Sequence, residues 1–286
     1  MIYLNGQWQV LEQAQVSVLD RGFLFGDGVY EVIPVYSRHP FRLDEHLSRL
    51  EASLASVKLA NPYARDAWRE LVREAIARQP FDDQSVYLQV TRGAGPNRDF
   101  PFPPSATPTV LIYPMPLITP DAQTKAKGVS AITKEDFRWL RCDIKSIALL
   151  ANVLLRNEAI AAGCAESVLL RDGMLTEGAA SNIFVVKNGV LLAPPKSNLM
   201  LSGITYDLVL ELAHRHQVPH EVRLISEAEV RAADELWMTS STKEVLAITT
   251  LDGFPVGDGR PGPMNAQMDA LYQAYKDSVL RQGGDA

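Results

Sequence analysis

Two stretches of this chain leave no room for a regular element to run through. GAGPNRDFPFPPSATP (93–108) and PMPLITPDAQTKAKG (114–128) are dense in Gly and Pro, residues that supply unusual backbone angles or remove a backbone donor. The chain on either side must therefore fold as separate blocks of strands and helices. The first stretch sits between strand-like runs near 85–91 and 108–114, and a loop of that length inside a compact domain is usually functional or disordered. The second reads as an interdomain linker, giving a first domain over 1–115 and a second over 121–286, within the range expected of a chain of 286 residues.

The first block opens as a hairpin, with Ile2-Tyr3-Leu4 and Trp8-Gln9-Val10 flanking the favoured turn pair Asn5-Gly6. VYEVIPVY (29–36) is β-branched and aromatic and reads as a strand, Pro34 pointing to an edge or a bulge. Leu43, Leu47, Leu50, Leu54 and Val57 recur at helical spacing, with Asp44 as N-cap, and a second helix spans 64–79. In the second block a strand near 128–134 precedes a helix over about 147–162, which Gly163 stops. Strands follow near 166–171, 182–187 and 190–193, the last two joined by Asn188-Gly189. A helix starts at about Gly203, another lies near 226–233, ELWMTS (235–240) is a strand, Asp252-Gly253 a turn, and a last helix spans 263–281. The pattern is that of a two-domain α+β protein.

Composition narrows the function. Lys plus Arg is 28 against 34 for Asp plus Glu, and a net charge of −6 offers no basic face for nucleic acid. The most apolar run, IALLANVLL (147–155), falls well short of the ~20 residues of a membrane span, and the opening MIYLNGQWQV has no signal-peptide pattern. Two cysteines, Cys142 and Cys164, suit a reducing compartment, so a cytoplasmic location is expected. No two His form a zinc-binding helix pair, so a metal site is not expected, and the motifs of serine hydrolases, P-loop nucleotidases and dinucleotide folds are missing.

Of nine lysines, Lys145 stands apart, in RWLRCDIKSIALLANVLL (138–155) just before an apolar helix. A desolvated lysine is a usable amine nucleophile, although a structural lysine paired with Asp143 fits the same spacing. Glu177, in LTEGAASNIF (175–184), is either a carboxylate fixed beside a tight turn or a solvated turn residue. Gly203-Ile204-Thr205 places free backbone N–H groups at a helix start, which is an anion site or simply a capped helix. TSST (239–242) is a second hydroxyl-rich turn, and Arg49 lies on the first long helix.

Taken in order, RGFLFGDGVYEV (21–32), DEHLSRLEAS (44–53), RWLRCDIKS (138–146), TEGAASNIF (176–184), MLSGIT (200–205) and DELWMTSST (234–242) resemble the fold-type IV pyridoxal-phosphate enzymes, the bacterial D-amino-acid aminotransferases above all. The resemblance covers nearly the whole chain. It implies a two-domain fold with pyridoxal 5'-phosphate at the domain interface, Lys145 as catalytic residue in Schiff-base linkage to the cofactor, and Glu177 paired with the pyridine nitrogen. Arg49, Ile204, Thr205 and Ser241 would hold the phosphate, and Leu201 would pack on the ring. Lys145 would act as general base and then acid in a ping-pong transamination between a D-amino acid and a 2-oxo acid, 2-oxoglutarate or pyruvate.

In such enzymes a Tyr, an Arg and a His trap the substrate carboxylate. Tyr30 and Arg98 match the first two, while Phe100 stands where the histidine is expected. The same resemblance implies a homodimer in which the Arg98 loop is delivered to the neighbouring subunit's site. The missing histidine leaves three other activities on the same fold open: 4-amino-4-deoxychorismate lyase, branched-chain aminotransferase and (R)-amine transaminase. A non-catalytic protein on this fold is disfavoured by the presence of both Lys145 and Glu177.

Overall fold

In the computed structural model, which describes residues 1–281, contacts divide the chain into two units. Among the described residues the first comprises Met1–Ile118, Ile144–Leu149 and 278–281; the second comprises Thr119–Asp143 and Leu150–Asp277. The final residues of the domain expected over 121–286 fall at 282–286, outside the described residues.

In the first unit the elements are β1 (Ile2–Leu4), β2 (Gln7–Gln9), α1 (Arg21–Phe25), β3 (Gly28–Tyr36), β4 (His39–Pro40), α2 (Leu43–Ser56), α3 (Arg65–Ala77), β5 (Gln84–Thr91) and β6 (Thr109–Pro116). They build one antiparallel sheet in the order β2-β1-β6-β5-β3-β4. Asn5 and Gly6, with φ of 50° and 91°, form the turn that sets the Leu4–Gln7 register, as their sequence predicts. Val29, Ile33 and Val35 on β3 pack with Val86, Leu88 and Val90 on β5 beneath Leu47, Leu50 and Leu54 of α2 and Trp68, Val72 and Ile76 of α3. β4 reaches only Val35 and Tyr36, so Pro34 does lie where the outer edge of β3 has no strand partner. Asp44 is not the cap of α2: the N-cap is Arg42, at φ 45° and without a side-chain cap.

That free edge of β3 positions the lysine. The Tyr30 N–H donates to the Lys145 carbonyl at 2.9 Å, the Ile147 N–H to the Gly28 carbonyl at 3.0 Å, and Val29 bridges Ser146. Residues 144–149 thus extend the first unit's sheet, although sequence order places them in the second block. α5 (Leu150–Ala161) starts only after that extended piece, three residues later than periodicity suggests.

The second unit holds α4 (Ala122–Lys127), β7 (Val129–Glu135), α5, β8 (Glu166–Arg171), β9 (Met174–Gly178), β10 (Asn182–Lys187), β11 (Val190–Ala193), α6 (Ile204–Arg215), β12 (His220–Val222), α7 (Glu227–Arg231), β13 (Glu235–Ser240), β14 (Glu244–Leu251), β15 (Phe254–Pro255) and α8 (Pro263–Tyr275). Its mixed sheet runs β12-β11-β10-β13-β14-β7-β8-β9, with β15 on β14. Its core gathers Val168, Ile183, Val185, Leu236, Met238 and Ile248. Part of the stretch 114–128 is regular structure. Pro114–Pro116 complete β6, and Asp121 caps α4 through the Thr124 N–H at 2.7 Å. No helix among the described residues is long and apolar enough to cross a membrane.

Candidate active site

Within the first unit, α2 turns His46, Arg49 and Ser53 toward β3, at spacings of three and four residues that bring side chains onto one helical face. Glu31 points from β3 into that face, fully buried between Val29 and Ile33. Arg49 grips it with two parallel bonds, Nε to Oε1 at 2.8 Å and Nη2 to Oε2 at 2.7 Å, and His46 Nδ1 lies 2.8 Å from Oε2. Burial would push the Glu31 carboxyl up, but Arg49 and His46 hold it well below the ordinary range. Burial pushes His46 below its usual value against the pull of Glu31, and its Nε2 has no protein partner.

Lys145 sits beside this cluster. Its backbone N–H reaches Ser53 Oγ at 3.3 Å, and its Nζ lies 4.2 Å from the centre of the Tyr30 ring. Tyr30 in turn packs on Tyr87, ring centres 5.7 Å apart. Lys145, Arg49 and Tyr30, predicted separately from sequence, therefore share one neighbourhood. Asp143, the partner that spacing alone allows for Lys145, accepts instead from Arg141 Nε at 3.0 Å. Arg98 and Phe100 lie further along the same unit on an exposed loop, the Arg98 guanidinium 5.9 Å from the Phe100 ring.

Glu177 belongs to the second unit and is buried. Oε1 accepts from Arg138 Nη1 at 2.5 Å, and Oε2 from the Leu201 N–H at 3.1 Å and Asn182 Nδ2 at 3.3 Å. Arg138 is held by Asp136 through Nε at 2.9 Å and Nη2 at 2.8 Å, and Asp136 also accepts from Thr176. Burial pushes Glu177 up to about 7 although Arg138 opposes it, so the carboxylate stands ready to share a proton near neutrality. Arg138 and Asp136 were not singled out from sequence. The signal was at hand, because an Asp two residues before an Arg on a strand end is a self-contained ion pair, but nothing local says which carboxylate it serves.

Next to Glu177 the unit offers an anion cradle. α6 begins at Gly203 with no side-chain cap, leaving its first-turn N–H groups for another acceptor. A side chain at Gly203 would stand 2.1 Å from Asn182 Oδ1, so only glycine lets the helix start come this close. The Thr205 and Thr239 hydroxyls are buried without protein partners, and Thr239 lies opposite Asn182 across the β10–β13 ladder. Buried hydroxyls normally find a partner. Ser241 is half-buried just beyond β13, and Leu201 borders Glu177 through its backbone. The second unit's donors suit a phosphorylated pyridine, with a buried carboxylate for the ring nitrogen and an unpartnered hydroxyl at a helix start for the phosphate.

Comparison with known proteins agrees. The signature of the family described as Amino-transferase class IV matches residues 28–251. A D-alanine aminotransferase of Bacillus licheniformis is 39% identical over 281 residues, 98% of each chain. Another, from Listeria monocytogenes, is 37% identical and covers 99% of this chain and 98% of its own. Among solved structures, the branched-chain amino acid aminotransferase of Escherichia coli superposes with a TM-score of 0.89 at 26% identity, covering 96% of this chain and 93% of its own. A second branched-chain amino acid aminotransferase, from T.th. and solved with pyridoxamine 5'-phosphate, also gives 0.89, at 27% identity over 99% of this chain and 95% of its own.

Proposed function

The chain belongs to the class IV aminotransferases, and on that premise we propose that it transfers the amino group of D-amino acids to a 2-oxo acid, pyruvate or 2-oxoglutarate, in a ping-pong cycle. The family's cofactor is pyridoxal 5'-phosphate, which when bound supplies an electron sink for negative charge developing at the donor Cα. Full-length likeness to D-alanine aminotransferases is the observation that carries the choice of substrate.

The chain's own residues then take distinct parts. Lys145 Nζ would hold the cofactor aldehyde and, once displaced by the donor's amino group, would carry the proton from the donor Cα to the carbon of that aldehyde. Glu177 would hold a proton at the ring nitrogen, its carboxylate kept pointed in one direction by the contact of Arg138. Arg49, the N–H groups of Ile204 and Thr205, the Thr205 hydroxyl and Ser241 would bind the phosphate, and Leu201 would pack on the ring. Tyr30 and Arg98 receive the substrate carboxylate. Phe100 lends that group no hydrogen bond from its side chain, so Arg98 has more of the binding to supply. The Arg98 loop would serve the neighbouring subunit of a homodimer, and two free cysteines fit a cytoplasmic setting.

A half-reaction tests the assignment. Cofactor-loaded protein without acceptor loses its yellow absorbance with D-alanine and keeps it with L-leucine. Bleaching by L-leucine alone would instead favour branched-chain transamination, the activity in the names of the structural neighbours.

A further inference from the structure

The loop between β5 and β6 carries Arg98 and Phe100, both solvent-exposed. A segment so rich in Gly and Pro builds no hydrogen-bond ladder of its own, and ordering it costs conformational entropy. Its middle is nevertheless gripped by one guanidinium. Arg21 Nη1 donates to the carbonyl oxygens of Asp99 at 2.5 Å and Pro101 at 3.4 Å, and Nη2 to that of Phe100 at 3.0 Å. Arg21 is buried, and its Nε donates to Asp27 Oδ2 at 2.8 Å.

Asp27 joins this grip to the rest of the unit. Arg92 Nε donates to the same Oδ2 at 2.8 Å and Nη2 to Oδ1 at 3.0 Å. Arg92 also donates to the carbonyls of Val57 at 2.7 Å and Lys58 at 3.0 Å, at the end of α2, and lies 3.7 Å from the centre of the Phe102 ring. Burial would raise the Asp27 carboxyl, but the two guanidiniums hold it below the ordinary range, so it stays charged between them. On the loop itself, the Arg98 guanidinium lies 5.1 Å from the centre of the Phe25 ring, and the Phe25 and Phe100 rings are 5.4 Å apart. A guanidinium resting on aromatic faces keeps its N–H edge available to a carboxylate.

We propose that Arg21 is a positioning residue for substrate recognition: by holding the backbone of residues 99–101 against Asp27 and Arg92, it sets where Arg98, resting on Phe25 and Phe100, presents its guanidinium. The recognition half of this rests on Arg98 as the carboxylate-binding group; the ordering of the loop does not. Only a planar fork of donors serves three successive carbonyls and a carboxylate together, so lysine is a partial substitute.

Arg21→Met keeps an apolar stem and removes the donors. In the cofactor-loaded full chain, trypsin should cut after Arg98 about tenfold faster than in wild type, because lost charge-assisted bonds raise the open population. KM for D-alanine should rise about tenfold with kcat within about twofold, and Arg21→Lys should fall between. In an Arg98→Ala background, Arg21→Met should add no further rise in KM. Unchanged cleavage overturns the proposal, as does an undiminished KM effect in the Arg98→Ala background. Should Arg21→Met fail to fold, Arg21→Lys carries the same comparisons. If Arg98→Ala alone leaves KM unchanged, the carboxylate-binding assignment fails and takes the recognition half with it, while the cleavage rate alone decides the loop.

Discussion

Glu177→Gln gives a measurable account of what burying that carboxylate costs. The group is buried and its pKa stands at about 7 against 4.5 for an ordinary glutamate. An acid whose folded value is raised binds more protons when folded than when unfolded. Its contribution to stability is therefore fully present below 4.5 and is lost as pH rises through about 7. A shift of this size, at 1.36 kcal/mol per unit, is worth about 3 kcal/mol, of which roughly 2–3 kcal/mol falls between pH 5 and pH 8. Gln keeps the shape and an acceptor for Arg138 but does not titrate. Urea unfolding of the cofactor-free protein, followed by far-UV circular dichroism, isolates the difference between wild type and variant. Wild type should lose roughly 2–3 kcal/mol relative to Glu177→Gln on going from pH 5 to pH 8. Groups with depressed values such as Asp136, whose carboxyl stands at about 2, are ionised in both folded and unfolded chains above pH 5 and add no slope over this range. Curves that run parallel, or a wild type that gains on the variant as pH rises, would refute the balance assigned here, because Arg138 would then outweigh burial.

Three further outcomes follow from the same geometry. Thr205→Val should be neutral or slightly stabilising in the cofactor-free protein, since the hydroxyl has no protein partner, yet weaken cofactor binding about five- to tenfold by equilibrium dialysis. Arg138→Met leaves two buried carboxylates without their shared cation and should cost about 3–5 kcal/mol in denaturant unfolding, with a smaller loss in the Arg138→Met/Glu177→Gln double variant. Lys145→Ala should fold with a normal urea midpoint, neither turn yellow with cofactor nor turn over D-alanine; residual turnover would remove Lys145 from its assigned role.

What the sequence makes legible here is what local pattern determines. Asn5-Gly6 and Asn188-Gly189 prescribe their own turns, and the leucines of α2 prescribe the buried face, because φ preference and helical period act over a few residues. Asp172-Gly173 marks the β9 hairpin as plainly as the others, whereas β14 is hidden because EVLAITTL (244–251) is apolar without a period. Alternation marks a strand only when one face meets water, and β14 is buried nearly throughout. The site divides on the same line. Lys145, Glu177 and Arg49 lie in recognisable blocks, whereas their partners are brought up by pairings distant in sequence: Glu31 reaches Arg49 from 18 residues away and Arg138 reaches Glu177 from 39. A local window can show that a charge exists but not which opposite charge will neutralise it. Arg92 makes the point in reverse: from its place at a strand end it reads as structural, and Asp27 with two carbonyls accounts for its donors. Arg21 occupies an equally plain position, and only the fold discloses that it holds the loop on which Arg98 depends. Residues that touch substrate can be found by motif; those that hold them in place have to be found by following hydrogen bonds.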